Sequence, residues 1–310
     1  MQNIGSFFLQ LEDLQPYGHG LVRPECIIAY PDGRLVVSNM PNGALQIFPD
    51  GTQERLGSID GVPNGIAADR KENLIVTDIA NGRVWEISPR GEQLLLLEEI
   101  HGSPLGAANF ALLGPDNAIW ISVSTRAAHR SESLASPRPD GYIVRINEGQ
   151  ARIVAEGFLF TNEIRFDSTG NYLYVAETTG GRVRRMPVAA DGSLGAPEQF
   201  GPDPLFKGAR IDGIAFDSAG NLWLTEISRN GIYVIQPDGT THCVIEDLQG
   251  IRLRVPTSIT FAGPNLQTAY VGSLAADHLL RFTAPIPGVP QQHWVASRAE
   301  LFDQPGSYRF

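Results

Sequence analysis

The sequence predicts an all-β protein, a six-bladed β-propeller with four-stranded antiparallel blades around a central channel. Three observations carry that expectation. A turn-rich segment followed by a short apolar strand recurs six times, with its first defined apolar position at Ile27, Ile66, Ala111, Ile164, Ile214 and Ile259. Every copy continues through a polar turn into a second strand. The copies are spaced by 39 to 53 residues, which is the length of one four-stranded blade.

The second strands are PDGRLVVSN at 31–39, RKENLIVTD at 70–78, GPDNAIWISV at 114–123, DSTGNYLYVAE at 167–177, DSAGNLWLTE at 217–226 and GPNLQTAYVGS at 263–273. Asp-Gly, Gly-Asn and Pro-Asp pairs supply the turns, and β-branched or aromatic residues suit the pleated surface that follows. Third strands follow in GALQIFPDG, GRVWEISPRG, GYIVRINEG, GRVRRMPVAADG and GIYVIQPDG, and fourth strands in TQERL, EQLLLLEE, QARIVAEG and TTHCVIED. GSFFLQLEDL at 5–14 and QHWVASRAELFD at 292–303 lie outside the repeats, and one of these flanks is expected to close the ring, because an open propeller leaves sheet edges unpaired. Trp85, Trp120 and Trp223 fall on second or third strands and read as packing between blades.

At 310 residues the chain has room for two domains, but no linker or shift in composition divides it, so residues 1–310 read as one propeller domain. A hydrophobic fraction of 42% is ample for a core, and Gly 33 and Pro 22 act as turn punctuation. A net charge of −10 without a Lys/Arg cluster argues against nucleic acid. The absence of a long apolar run argues against a membrane span, giving the expectation of a soluble, cytoplasmic monomer or homodimer. Cys26 and Cys243 fall in blades that are not neighbours, so a disulfide is not expected.

Two residues before each apolar anchor stands an oxygen-bearing side chain: Glu25, Asn64, Asn109, Asn162, Asp212 and Thr257. A propeller sends these positions to the rim of its channel. Glu25 and Asp212 would repel there unless a cation lay between them. Ligands restricted to oxygen favour calcium, with magnesium, manganese or zinc as alternatives. Each Asn taken singly could equally be a turn former, so the weight rests on the joint phase.

The segments RPE at 23–25, TNEIRFDSTGNYLYVAET at 161–178 and IDGIAFDSAGNLWLTE at 211–226 resemble the signatures of the senescence marker protein/gluconolactonase family, whose wider circle includes diisopropyl fluorophosphatase and the paraoxonases. The resemblance covers nearly the whole chain. It implies that Glu25, Asn162 and Asp212 bind a catalytic divalent cation and that Asn109 contacts metal or substrate. Two departures leave the subfamily open. LVRPECIIAY stands where a Gly-rich approach is usual, and Asn162 is followed by Glu163 where Gly is commoner.

The chemistry implied is hydrolysis of a sugar-acid lactone or related small lactone or ester, with the cation polarising the carbonyl and Asp212 acting as base, or else as nucleophile. Asn64, Asn109, Arg126, His129 and His278 are candidates for substrate contact. The long blade 3 loop STRAAHRSESLASPRPDG at 124–141 brings Arg126, His129 and Arg130 to the mouth side, and an inward pose would favour an anionic or polyhydroxylated substrate. Asp277 with His278 is an acid/base pair or a simple turn. Glu177 and Glu226 read as structural, and Arg184 and Arg185 as solvated. A phosphotriesterase or arylesterase is the runner-up, and a non-catalytic binding propeller is a third reading.

Overall fold

The computed structural model describes residues 4–41 and 43–294. It contains six four-stranded antiparallel sheets, each ordered from an inner to an outer strand in sequence order, with one crossover that closes the ring. The inner strands are Ile27–Ala29, Pro63–Ala68, Ala108–Leu113, Thr161–Phe166, Ile211–Phe216 and Pro256–Ala262. They are buried along nearly their whole length, since one face meets the channel and the other the neighbouring blades. Outer strands such as Gln53–Leu56 and Gln93–Leu97 are largely open to water, the first through Gln, Glu and Arg and the second with Leu94 and Leu95 exposed.

Blade 6 borrows its outer strand from the other end of the chain. Gln15–Tyr17 pairs antiparallel with Leu279–Thr283. The segment at 5–14 is therefore the approach to the closing strand and not the strand itself. Its Phe7, Leu9 and Leu14, with Ile4 just ahead of it, pack into the apolar cluster shared by blades 5 and 6.

Aromatic rings join successive blades at one repeating position. Trp120 of a second strand meets Phe166 of the next inner strand edge-on at 5.3 Å, Tyr174 meets Phe216 at 4.8 Å, and Trp223 meets Phe261 at 5.8 Å. Such edge-to-face pairs add to the burial of their area. Arg184 and Arg185, expected to be merely solvated, are paired: Arg184 with Glu177 at 3.3 Å, and Arg185 with Glu198 at 3.2 Å while it covers the Tyr172 ring. Alternation on the third strand of blade 4 aims them at neighbours with acidic or aromatic groups. Both cysteines are free.

Residues 288–294 run across one end of the channel. The Gly288 backbone bridges to Asp217 in blade 5, Val289 donates to the Phe216 carbonyl, and Gln291 joins the Ala29 amide at 2.9 Å to the Thr260 hydroxyl at 3.0 Å. Behind this strap lies a cavity lined by Ile28, Ile66, Ala111, Phe216 and Phe261. The rest of the C-terminal flank lies outside the described residues.

Candidate metal centre

The opposite end of the channel is polar, and its geometry begins with the backbone. In five blades the pairing of inner with second strand slips by one residue at the predicted position, so that Asn64, Asn109, Asn162, Asp212 and Thr257 sit in β-bulges. A bulge puts two residues opposite one and re-aims a side chain. The freed amide then needs an acceptor. Hydroxyls of the second strands supply it, Thr77 to Gly65 at 2.8 Å, Ser122 to Phe110 at 3.1 Å and Thr225 to Gly213 at 2.8 Å, and in blade 1, whose pairing runs without a slip, Ser38 meets Cys26 N–H at 2.9 Å in the same way.

Neighbouring bulges lock to one another around the axis. Asn64 donates to the Asn109 carbonyl at 2.9 Å, Ser124 to the Thr161 carbonyl at 2.9 Å, Ile214 N–H to Glu163 at 3.1 Å, and Thr257 to the Glu25 carbonyl at 2.7 Å. The approach is close enough that a Cβ on Gly65 would lie 2.4 Å from Phe110 Cα, and one on Gly213 2.4 Å from the Thr257 carbonyl oxygen. Glycine is required at both positions by contact.

The side chains differ in what they have left to offer. Three buried carboxylate or amide oxygens at this mouth have no hydrogen-bond partner, Glu25 Oε2, Asn162 Oδ1 and Asp212 Oδ1, beside the hydroxyls of Thr161 and Ser258. Their companion atoms are held, Glu25 Oε1 by the Asn64 amide at 2.8 Å and Asn162 Nδ2 by the Thr178 hydroxyl at 2.9 Å. Buried oxygens without partners carry a desolvation cost that a bound cation would remove. Asn64 has no such oxygen, since its Oδ1 accepts from Arg23 at 2.6 Å. Asn109 donates to Ser124 at 2.9 Å, and its Oδ1 faces the Asn64 amide at 3.3 Å. Thr257 spends its hydroxyl on the Glu25 carbonyl.

Burial pushes the Glu25 carboxyl up to about 8, against the pull of Arg23 and with Asp212 and Glu163 adding to the rise. Asp212 is raised to about 7, by burial first and then by Glu163. Two acids held this high are groups the fold leaves without enough positive charge. Glu163 is itself raised to about 7 by burial, but it is paired with Arg165 at 3.0 Å, and Arg165 caps the Phe110 ring at 4.5 Å. Among the described residues no three His, Cys, Asp or Glu side chains gather as a metal cluster. The triad differs in kind, with two carboxylates and one amide.

The other predicted contacts separate. Arg126 lies over the Tyr142 ring at 4.0 Å and bonds the Asp140 carbonyl and Glu156, away from the triad. His129 is exposed just ahead of the helix α1, Arg130–Ala135, the one α-helix among the described residues. His278 pairs with Asp277 at 2.8 Å beside a groove with Arg252 and Arg254. Glu177 and Glu226 are buried and hold loops, Glu226 by accepting from Arg210 N–H at 2.7 Å and Arg229 N–H at 2.8 Å.

Arg23 carries more than the sequence indicated. Its guanidinium bonds the Pro63 carbonyl at 2.9 Å as well as Asn64, and its charge acts on both Glu25 and Asp212. Its φ is +56°, although it is not glycine and precedes Pro24. That left-handed backbone costs about 1–2 kcal/mol for a residue with a Cβ. No local signal announces it, because a residue before proline is ordinarily extended.

A six-bladed propeller with an acid–amide triad at one channel mouth defines a class, and the chain belongs to the SMP-30/Gluconolactonase/LRE-like region family, whose pattern matches residues 23–275. Among curated relatives it is similar to the 6-deoxy-6-sulfogluconolactonase of Pseudomonas putida, 29% identical over 44% of this chain and 46% of the relative, and to a pentonolactonase of Haloferax volcanii, 27% identical over 47% and 49%. The chain spans about half the length of the curated relatives it matches. In fold it resembles regucalcin of Agrobacterium tumefaciens, a calcium-binding protein, with a TM-score of 0.70 at 17% identity over 89% of this chain and 94% of that one.

Proposed function

We propose that the protein is a divalent-cation-dependent hydrolase of small lactones, with calcium as the favoured ion and sugar-acid lactones as the favoured substrates. The observation that carries this reading is the set of three buried, unpartnered oxygens on Glu25, Asn162 and Asp212. All are hard donors, which suits calcium or magnesium better than a softer metal. Two lactonases among the relatives and a calcium-binding protein of the same fold support it. When bound, the ion would supply a Lewis acid for the lactone carbonyl and offset charge developing on its oxygen.

The residues of the chain do the rest. Asn64, held by Arg23, fixes one Glu25 oxygen and leaves the other free. Thr178 does the same for the Asn162 amide. Asp212, as the carboxylate, takes the proton of the water that attacks the carbonyl carbon. As the ring C–O bond breaks, that proton passes to the leaving alkoxide, and the product is the open hydroxy acid. Asn109 and Asn64 border the triad where the substrate's hydroxyls would lie. Free cysteines fit a reducing, cytoplasmic address, and a single-domain monomer or homodimer completes the proposal.

Five- and six-membered sugar lactones assayed with calcium and with a chelator test the reading. Turnover that the chelator abolishes and calcium restores is the expected result. Turnover of phosphotriesters or aryl esters alone would move the leaving group, and a chain inert toward all of them would contradict the proposal.

A further inference from the structure

We infer that Glu163 and Arg165 are a positioning pair: an ion pair carried by blade 4 that grips the backbone of blade 5 and so sets where Asp212 stands at the mouth. This inference rests on the cation reading of the triad and adds the residues that hold its blade 5 member in place.

The first observation is where the pair reaches. Glu163 and Arg165 stand on the inner strand Thr161–Phe166 with their charged groups 3.0 Å apart, Glu163 buried and Arg165 nearly so. Glu163 accepts the Ile214 N–H at 3.1 Å, and Arg165 Nε donates to the Ile214 carbonyl at 3.0 Å. One ion pair thus holds both backbone groups of a single residue in the next blade. Ile214 is where regular pairing resumes after the bulge that contains Asp212 and Gly213. Within blade 5 itself the Thr225 hydroxyl holds the Gly213 N–H at 2.8 Å. The backbone that follows Asp212 is therefore fixed from two blades, and Arg165 extends the grip to blade 3 through the Phe110 ring at 4.5 Å.

The second observation is how the seam leading to a blade without a triad ligand is tied. Cys26 stands in blade 1 at the phase of Glu163 in blade 4, one residue after the mouth position, and its sulfur meets the Ile66 N–H at 3.3 Å, two residues after Asn64. A buried thiol is enough there, and Asn64 has its oxygen taken by Arg23. At the seam of blades 2 and 3 the same phase is Gly65, packed on the Phe110 backbone with no side chain at all. Burying an ion pair costs desolvation that a thiol or a glycine avoids, so stability alone does not account for Glu163 and Arg165. What the pair adds is direction, through two charge-assisted bonds of fixed geometry.

Direction matters at a cation seat, where a ligand must be held to within about 0.5 Å and the groups that orient it typically carry about ten- to a hundredfold of affinity or activity. Glu25 and Asn162 are oriented through their own side chains, by Asn64 at 2.8 Å and Thr178 at 2.9 Å. Asp212 is oriented through its backbone. The pair carries no net charge, so replacing both members together moves Asp212 without changing the charge around the seat.

The test uses two double variants that keep the pair neutral. Glu163→Leu with Arg165→Met replaces both grips by apolar side chains, and Glu163→Gln with Arg165→Gln retains one acceptor and one donor. At pH 8 the apolar variant should bind calcium at least about tenfold more weakly than the wild type, and at saturating calcium its kcat on lactones should fall about tenfold with KM nearly unchanged. The amide variant should recover part of both. A pair that only packs a seam would move the melting temperature alone, so wild-type calcium affinity in the folded apolar variant overturns the inference while the cation reading stands. Should the apolar variant fail to fold, Arg165→Lys decides, since it keeps the charge and loses the Nε bond to Ile214: weaker calcium binding supports the pair's role, and equal binding overturns it. If the wild type binds no calcium, the cation reading fails by itself, and amide exchange of the metal-free protein decides for the pair. Exchange raised more at 211–216 than in the other inner strands of the apolar variant, or of Arg165→Lys, supports the grip, and no such difference overturns it.

Discussion

The two ends of the channel are built from the same six strands and treat polar groups in opposite ways. At the strap end, Gln291 spends its side chain on the Ala29 amide and the Thr260 hydroxyl, and the Asp217 carboxylate is consumed by Asn221 and the Trp223 indole N–H at 2.9 Å. At the mouth, Glu25, Asn162 and Asp212 each keep one buried oxygen without a partner, and Arg23 holds a left-handed backbone. Stability is concentrated at one end, and uncompensated polarity is kept at the other. Residues that break this contrast should therefore separate folding from activity.

The largest effect is expected at Asp212. Asp212→Asn should reduce lactone turnover by roughly 10³-fold or more, since it removes a base and a metal charge together, while thermal stability of the metal-free protein stays level or rises because a buried charge is gone. Paired kinetics and calorimetric melting check both halves. A variant that melts far below the wild type would place Asp212 among the structural residues and erase the contrast.

At the strap end the sign reverses. Trp223 is fully buried against Phe7, Phe261 and Phe282, so Trp223→Ala should cost about 3–5 kcal/mol of stability. Calcium affinity and kcat of the molecules that remain folded should hold, because Trp223 touches nothing at the mouth. Denaturant unfolding with kinetics on the same samples reads both.

The mouth should also give the metal-free protein an inverted pH dependence. Glu25 and Asp212 have folded pKa values of about 8 and about 7, above the values of an unfolded chain, so the folded state binds more protons between about pH 4.5 and 8. Stability contributed by these groups is present at low pH and is lost as pH rises through that window. Excess calcium, which displaces those protons, should restore it most strongly near pH 8. Melting curves across this range with chelator and with calcium test the sign, and a metal-free protein that gains stability toward pH 8 would refute it. The smallest effect belongs to Gln291→Ala, which should cost about 1–2 kcal/mol for two lost hydrogen bonds and leave kcat unchanged.

Much of this contrast is legible in the sequence, for a physical reason. Blade geometry repeats, so turn pairs and apolar strands recur at a readable spacing, and in five of the six blades a bulge falls two residues before the anchor. The hydroxyls that meet the inner-strand amides also repeat, as SN, TD, SV and TE at the ends of second strands, and they are a usable signal for this end of each blade. What the repeat cannot carry is what happens once. Asn64 and Asn162 share a phase, yet one has its oxygen taken by Arg23 of blade 1 and the other keeps it, because no donor meets Asn162 Oδ1. The bond from the Arg210 guanidinium of blade 5 to the Leu134 carbonyl of α1 at 3.3 Å, and the role of Arg23, depend on contacts between loops of different blades, which no periodicity encodes. Arg126, grouped with Arg130 by sequence, turns to Tyr142 instead, since an aromatic face and Glu156 lie nearer to it.

The central claim is that three unpartnered oxygens form one cation seat, and calorimetric titration of the metal-free protein with calcium near pH 8 tests it most directly. The account predicts one calcium per chain, bound with release of protons, and affinity at least about tenfold weaker in Asn162→Leu, which removes a ligand without changing the net charge. No saturable binding in the wild type, or equal affinity in Asn162→Leu as expected for diffuse attraction to an acidic surface, would contradict it.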